Sequence, residues 1–194
     1  KKTSKSSQKV ISKGNKGMLC SSIAEEKTAA ILQVLGSINN VFGSANHPVI
    51  SNFQRLQKLN SSLKIRGAKQ IVAECDISNS DRIEDIFDKI IYNKGFDHYR
   101  DLFEFKFIKD SVIQHLGVSS RKFSKKTSYK WNVNSSYELT ESEIQILPPF
   151  LAINTRENED VDDRFTLKCQ SYNQMQNYKL VAEIREDEGR TICV

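Results

Sequence analysis

Glycine and proline are scarce in this chain, at eight and three among 194 residues, and the scarcity excludes several architectures. The glycines are scattered, and none falls in a G-x-x-x-x-G-K-[ST] or G-x-G-x-x-G pattern. A backbone loop that closes on a phosphate is therefore not expected. H-E-x-x-H is also missing. The three histidines stand at 47, 98 and 115, too dispersed to read as a metal site, and no cofactor or metal is expected. Four cysteines (Cys20, Cys75, Cys169, Cys193) occur without a C-x-x-C pair. That density is far below a disulfide scaffold, so free thiols are expected. No apolar run approaches the roughly 18 residues of a membrane span. Residues 1–19 carry lysines with no apolar core behind them, unlike a secretory signal. The expectation is a soluble protein inside the cell, nuclear in a eukaryote, with no membrane partner.

What is present is charge, unevenly placed. The net charge is +5, from 29 basic and 24 acidic side chains. Seven lysines against Glu25 and Glu26 give residues 1–30 a charge of +5, while six basic against twelve acidic groups give residues 138–194 a charge of −6. The middle therefore carries +6, and much of it is concentrated. No Asp or Glu occurs from Ser111 to Tyr137, whereas Arg121, Lys122, Lys125, Lys126 and Lys130 fall within ten positions. Adjacent cations each neutralise a phosphate and release a counterion, which gives salt-sensitive affinity that scattered charges do not. The same run is also what a solvated face, or a patch for an acidic protein, looks like.

Composition and periodicity divide the chain into three parts. Residues 1–19, rich in Lys, Ser and Gly, have too little apolar surface to offset their ordering entropy and read as a flexible basic arm. Residues 20–137 read as a helical domain. Ser22 with Glu25 forms a capping-box pattern, and Ile23, Ala30, Ile31, Val34, Ile38 and Val41 recur at helical spacing. A second helix is expected from about Val49, after the break at Gly43 and Asn46–Pro48. The stretch "KQIVAECDI" (69–77) reads as a strand, too short for periodicity to settle. Ser80 is the expected N-cap of an amphipathic helix through Ile83, Ile86, Phe87, Ile90 and Ile91, with Gly95 at its end. Residues 138–194 read as a short helix capped by Thr140 and stopped at Pro148–Pro149, an acidic loop at 155–163, and alternating strands in "FTLKCQSY", "NYKLVAEI" and "RTICV". The class expected is α+β, a mainly helical body with a small antiparallel sheet at its C-terminal end.

Function turns on residues 107–131, "FIKDSVIQHLGVSSRKFSKKTSYKW". Val112, Ile113 and Leu116 would give a first helix its buried face, Gly117 a turn tolerant of positive φ, and Ser119 or Ser120 the cap of a second helix anchored by Phe123. The portion "HLGVSSRKFSK" resembles the leucine-glycine-valine-serine turn of helix-turn-helix DNA-binding proteins. It departs from that pattern at Ile113, where a small residue is usual, and at Lys126, where an apolar one is. The resemblance implies a second helix in a DNA groove, with Ser120, Arg121 and Lys122 foremost and Lys125, Lys126 and Lys130 on phosphates. In a winged variant "TSYKWNVNSSYEL" would form the wing. Tyr129 and Trp131 would stack on bases of a single strand. The expected function is non-catalytic nucleic-acid binding, DNA ahead of RNA.

Two other readings compete. A helical front, a basic middle and an acidic sheet suit an interaction subunit of a larger intracellular complex with protein partners. Glu104-Phe105-Lys106 has the E-x-K spacing of PD-(D/E)-x-K nucleases, in which a strand turns a carboxylate and a lysine to one face beside a magnesium ion. Asp76 or Asp97 would have to supply the missing carboxylate. His98, between Asp97 and Tyr99, reads as an exposed loop residue rather than a base.

Overall fold

The computed structural model describes residues 18–42, 48–58, 66–123, 131–134, 137–139, 144–155, 164–169, 174–187 and 190–193. The expected arm over 1–19 lies almost wholly outside them, as does the core of the acidic loop, 156–163. The protein is of the α+β class, and its chain folds as two units. One comprises residues 1–74 with 182–194, the other residues 75–181. Among the described residues, no helix is long and apolar enough to cross a membrane.

The first unit is organised by α1 (Ile23–Phe42). Its start follows the capping logic with a shift of one residue. The Glu25 N–H donates to Ser22 Oγ at 3.2 Å, and the Glu25 carboxylate accepts from the Ser21 N–H at 2.7 Å. Orphan amides of the first turn are thereby satisfied. Ala24, Ala29, Ala30, Ile31, Leu32, Leu35 and Ile38 are buried, and so are Glu25, Lys27, Thr28 and Gln33. A helix covered on so many sides is a central element. It packs against α2 (Pro48–Lys58), α3 (Gly67–Glu74) and β11 (Arg190–Cys193), the last paired antiparallel with β10 (Ile184–Asp187). Proline at the first position of α2 loses no helical hydrogen bond there. Lys27 Nζ reaches Glu186 Oε1 on β10 at 2.9 Å, so the buried stem ends on a paired charge.

The strand expected over 69–77 is α3 instead. Ala68, Ile71 and Cys75 are buried while Lys69, Gln70, Ala73 and Glu74 are exposed. Intervals of three and four define a helical face, and packing on α1 selects it over an ambiguous apolar run.

The second unit begins with α4 (Ile83–Ile91), whose Ile86, Phe87, Ile90 and Ile91 are buried as expected. Its cap is not Ser80. That hydroxyl lies 2.8 Å from Ser78 Oγ, Asp81 accepts the Ser78 N–H at 2.8 Å, and the helix starts two residues later, after Arg82. A 3₁₀ turn (Lys94–Phe96) leads into α5 (Asp97–Phe103).

From here the chain departs from the helix-turn-helix expectation. Residues 106–115 form a hairpin, β1 (Lys106–Lys109) and β2 (Val112–His115), joined by Asp110 and Ser111 at φ 51° and 63°. Two consecutive left-handed residues make the tight turn whose twist matches the strands. β6 (Ile144–Ile146) adds on the other side of β1, in the order β2-β1-β6. The helix expected across 140–147 is thus strand at its C-terminal end, with 140–143 outside the described residues. Ile144 pairs with Phe107, and both are buried, so a two-residue alternation overrides a good capping sequence.

Three further strand pairs are described in this unit. β3 (Lys122–Phe123) runs parallel to β7 (Asn154–Thr155), and β4 (Trp131–Asn134) pairs antiparallel with β5 (Tyr137–Leu139). The second is the hairpin expected as a wing, but among the described residues no helix-turn-helix precedes it. β8 (Arg164–Cys169) and β9 (Gln174–Lys179) form an antiparallel ladder in this unit. The core gathers Phe105, Phe107, Leu116, Ile144 and Tyr178, flanked by Leu147, Leu151 and Ile153. Tyr178 Oη donates to Pro148 O at 2.6 Å, which satisfies the one polar atom it brings into that core.

Candidate functional site

Between β2 and β3 the segment Leu116–Arg121 makes a 3₁₀ turn (Val118–Ser120) where a second helix was expected. Leu116 and Val118 are buried. Gly117 has φ −65° and ψ 156°, ordinary extended backbone, so left-handed freedom is not what it contributes. A Cβ there would stand 2.7 Å from Asp88 Oδ2. Glycine is needed because a carboxylate sits against the main chain. That carboxylate, reaching over from α4, accepts the Val118 N–H at 2.9 Å and the Ser119 N–H at 3.4 Å. Asp88 thus caps a turn thirty residues away in sequence. Burial holds its carboxyl above the usual carboxylate range, against the two amide bonds and the attraction of Arg121.

Arg121 leads the expected groove-facing residues, and here the structure corrects the sequence. Its side chain is 1 % exposed, among the largest fully buried in the described fold. Nε and Nη2 donate to Leu116 O at 2.9 and 2.7 Å, Nη2 to Phe103 O at 3.0 Å, and Nη1 to Ala152 O at 3.4 Å. The guanidinium also lies over the Phe105 ring, 5.5 Å from its centroid. Burial pushes its pKa down to about 10, opposed by Asp88. The planar fork of donors ties the end of α5, the end of β2 and the approach to β7 together. Its own carbonyl accepts the Asn154 N–H at 2.9 Å. Arg121 therefore presents nothing to a groove. The motif taken for a recognition turn is a structural latch made of Asp88, Gly117, Val118 and Arg121.

The other expected contacts are distributed differently. Ser120 is half-buried, its N–H given to Gly117 O at 3.1 Å. Lys122 is the first residue of β3, in register with Asn154. Lys125, Lys126, Lys130 and Tyr129 lie outside the described residues. The described residues on either side of 124–130 stand in ladders, Phe123 opposite Thr155 and Trp131 opposite Leu139.

A second polar cluster occupies the start of β1. Glu104, largely buried, accepts from Lys106 Nζ at 2.6 Å and lies 2.8 Å from His115 Nδ1. Lys106 and His115 are cross-strand partners, so strand pairing itself brings both to one carboxylate. Tyr92 approaches the His115 ring edge-on at 6.3 Å, and Arg100 lies over Tyr92 at 5.7 Å. The E-x-K residues are thus an ion pair. A strand, not a helix, follows them, and Asp97 is paired with Arg100 at 2.9 Å. Among the described residues no group of three His, Cys, Asp or Glu could hold a metal ion. His98 is exposed, on α5 rather than on a loop, its ring against Tyr99.

Asp88 and His115 had no assigned role in the sequence, and Glu104 only the E-x-K one. Asp88 sits among Ile86, Phe87, Ile90 and Ile91, and an acidic residue inside an apolar stripe was the only local hint. No protein-family model, no curated protein and no solved structure matches the chain.

Proposed function

We propose that the protein binds nucleic acid through its phosphates, without chemistry of its own, using Lys122, Lys125, Lys126 and Lys130. The observation that carries this reading is the acid-free stretch from Ser111 to Tyr137 with four lysines between 122 and 130. Lys122 itself stands on β3 in register with Asn154, and the described neighbours of 124–130, Phe123 and Trp131, belong to strand pairs. Removal of Arg121 from the cluster lowers the expected charge but not its sign. The preference for DNA rested on a recognition helix and has no helix to rest on. Phosphate contacts position a protein without reading sequence, so duplex and single-stranded ligands are both in scope.

The test is binding of labelled duplex and single-stranded oligonucleotides over a salt series. Changing Lys125 and Lys126 to alanine is expected to flatten the salt slope by about two, because each phosphate contact contributes close to one. No binding at low salt, or an unchanged slope, removes the reading.

One observation favours a second reading, an interaction subunit of a larger assembly. Val112 and Ile113, on opposite faces of β2, are 56 % and 59 % exposed, and Ile146 of the same sheet is 38 % exposed. Exposed apolar side chains on an edge strand suit a protein partner better than a phosphate backbone. Co-purification of a stoichiometric protein partner, lost on Ile113→Lys, supports this reading and none supports the first.

A further inference from the structure

The sheet β2-β1-β6 ends on β2, and its register identifies which backbone groups of that edge are open. The Leu116 N–H donates to Phe105 O at 2.9 Å, one step beyond the pair Lys106–His115. Hydrogen-bonded and non-hydrogen-bonded pairs alternate along an antiparallel ladder. Phe107–Gln114 and Lys109–Val112 are therefore hydrogen-bonded pairs, whereas Lys106–His115 and Ile108–Ile113 are not. In a non-hydrogen-bonded pair the N–H and C=O point away from the partner strand. The outer edge of β2 thus offers a donor and an acceptor from each of Ile113 and His115, and among the described residues no strand takes them.

Edge strands are ordinarily blunted by lysine, proline or a bulge. Val112-Ile113-Gln114-His115 has none of these, and its pairing with β1 is regular. The strand is also without strong charge. Its one ionisable side chain, His115, already faces Glu104. On the side of the sheet that carries His115, Ile113 stands in register with Ile108 of β1.

The geometry points to β2 as a strand-addition edge whose occupant is β2 of a second copy of this chain. The two open residues flank Gln114 symmetrically. A two-fold axis through Gln114 sets Ile113 opposite the partner subunit's His115, and His115 opposite the partner subunit's Ile113. All four open groups on each side are then satisfied by a single register. The sheets join as six strands with their buried faces on the same side. An uncharged strand has no means of selecting a charged segment, and its own sequence meets the requirement. The inference is independent of nucleic-acid binding and stands or falls separately.

An interface this small is at the weak end of specific association. Sedimentation of the full chain from about 1 µM to about 1 mM brackets that regime and is expected to show a monomer passing into a dimer. Ile113→Lys places a cation on an exposed position of the edge and is expected to weaken the dimer by about tenfold or more, with an unchanged circular dichroism spectrum. The register has its own test. Gln114→Cys would bring two cysteines together as a non-hydrogen-bonded pair with Cα atoms about 4.5 Å apart, within disulfide range. Covalent dimer is expected from Gln114→Cys and not from Ile113→Cys, above the background of the unaltered chain. A monomer at every concentration, a dimer indifferent to Ile113→Lys, or cross-linking at 113 rather than 114 overturns the assignment.

Discussion

Replacing Arg121 by lysine and, separately, by methionine separates a latch from a phosphate contact. The fall of its pKa to about 10 corresponds to about 3 kcal/mol of disfavour for the charged form. Against this stand the bonds to Leu116 O, Phe103 O and Ala152 O. Each buried carbonyl left without its donor costs about 1–3 kcal/mol. Methionine loses those bonds but also sheds the buried charge, so the two effects partly cancel and about 1–3 kcal/mol of destabilisation is expected. Lysine keeps the charge and its burial, yet a compact ammonium cannot reproduce the fork, and about 3–5 kcal/mol is expected. The order of stability is Arg, then Met, then Lys. Urea unfolding followed by fluorescence of the single tryptophan measures it, because Trp131 belongs to the same unit as Arg121. A surface phosphate contact predicts the reverse, with lysine benign. Lysine within about 1 kcal/mol of the parent, or methionine worse than lysine, refutes the latch.

Three further outcomes follow from the same geometry. Gly117→Ala forces Asp88 off the amides of Val118 and Ser119 and is expected to destabilise by about 1–2 kcal/mol in the same unfolding assay. Because the folded pKa of Asp88 is raised, the folded state binds the proton more tightly than the unfolded one. The stability this group contributes is fully present below its unfolded pKa, near 3.8, and is lost as pH rises through the higher folded value. The parent is therefore expected to gain on Asp88→Asn as pH falls from neutral toward that range; a pH-independent difference counts against a buried carboxylate. Glu25→Ala removes the acceptor at the start of α1 and is expected to cost about 1 kcal/mol, read from thermal unfolding by far-ultraviolet circular dichroism.

The helices α1, α2 and α4 were legible because each repeats apolar residues over two turns or more, although the start of α4 falls after Arg82 and not at Ser80. Ser22 with Glu25, Pro48, and the cluster Ile86, Phe87, Ile90 and Ile91 act within a few residues of where they stand. The α+β class and the strands near 165–169 and 190–193 follow from the same local alternation. The structure of residues 107–121 is not written in their own pattern, for a definite reason. Val112, Ile113 and Leu116 have intervals compatible with a helix, and only their pairing with Lys109, Ile108 and Phe105 makes them the strand and its exit. Ile144 and Ile146 are likewise strand because Phe107 and Lys106 lie beside them.

By itself the sequence determined where charge accumulates, where long amphipathic helices form, and that 111–137 holds no carboxylate. Those properties belong to neighbouring residues and need no distant partner. Only tertiary structure decided that Arg121 leaves the basic cluster for the interior, that Gly117 makes room for Asp88, and that residues 182–194 return to the unit built on α1. Each depends on contacts between residues eighteen or more apart along the chain. A guanidinium among lysines looks like surface until the carbonyls of Phe103 and Ala152 converge on it with that of nearby Leu116.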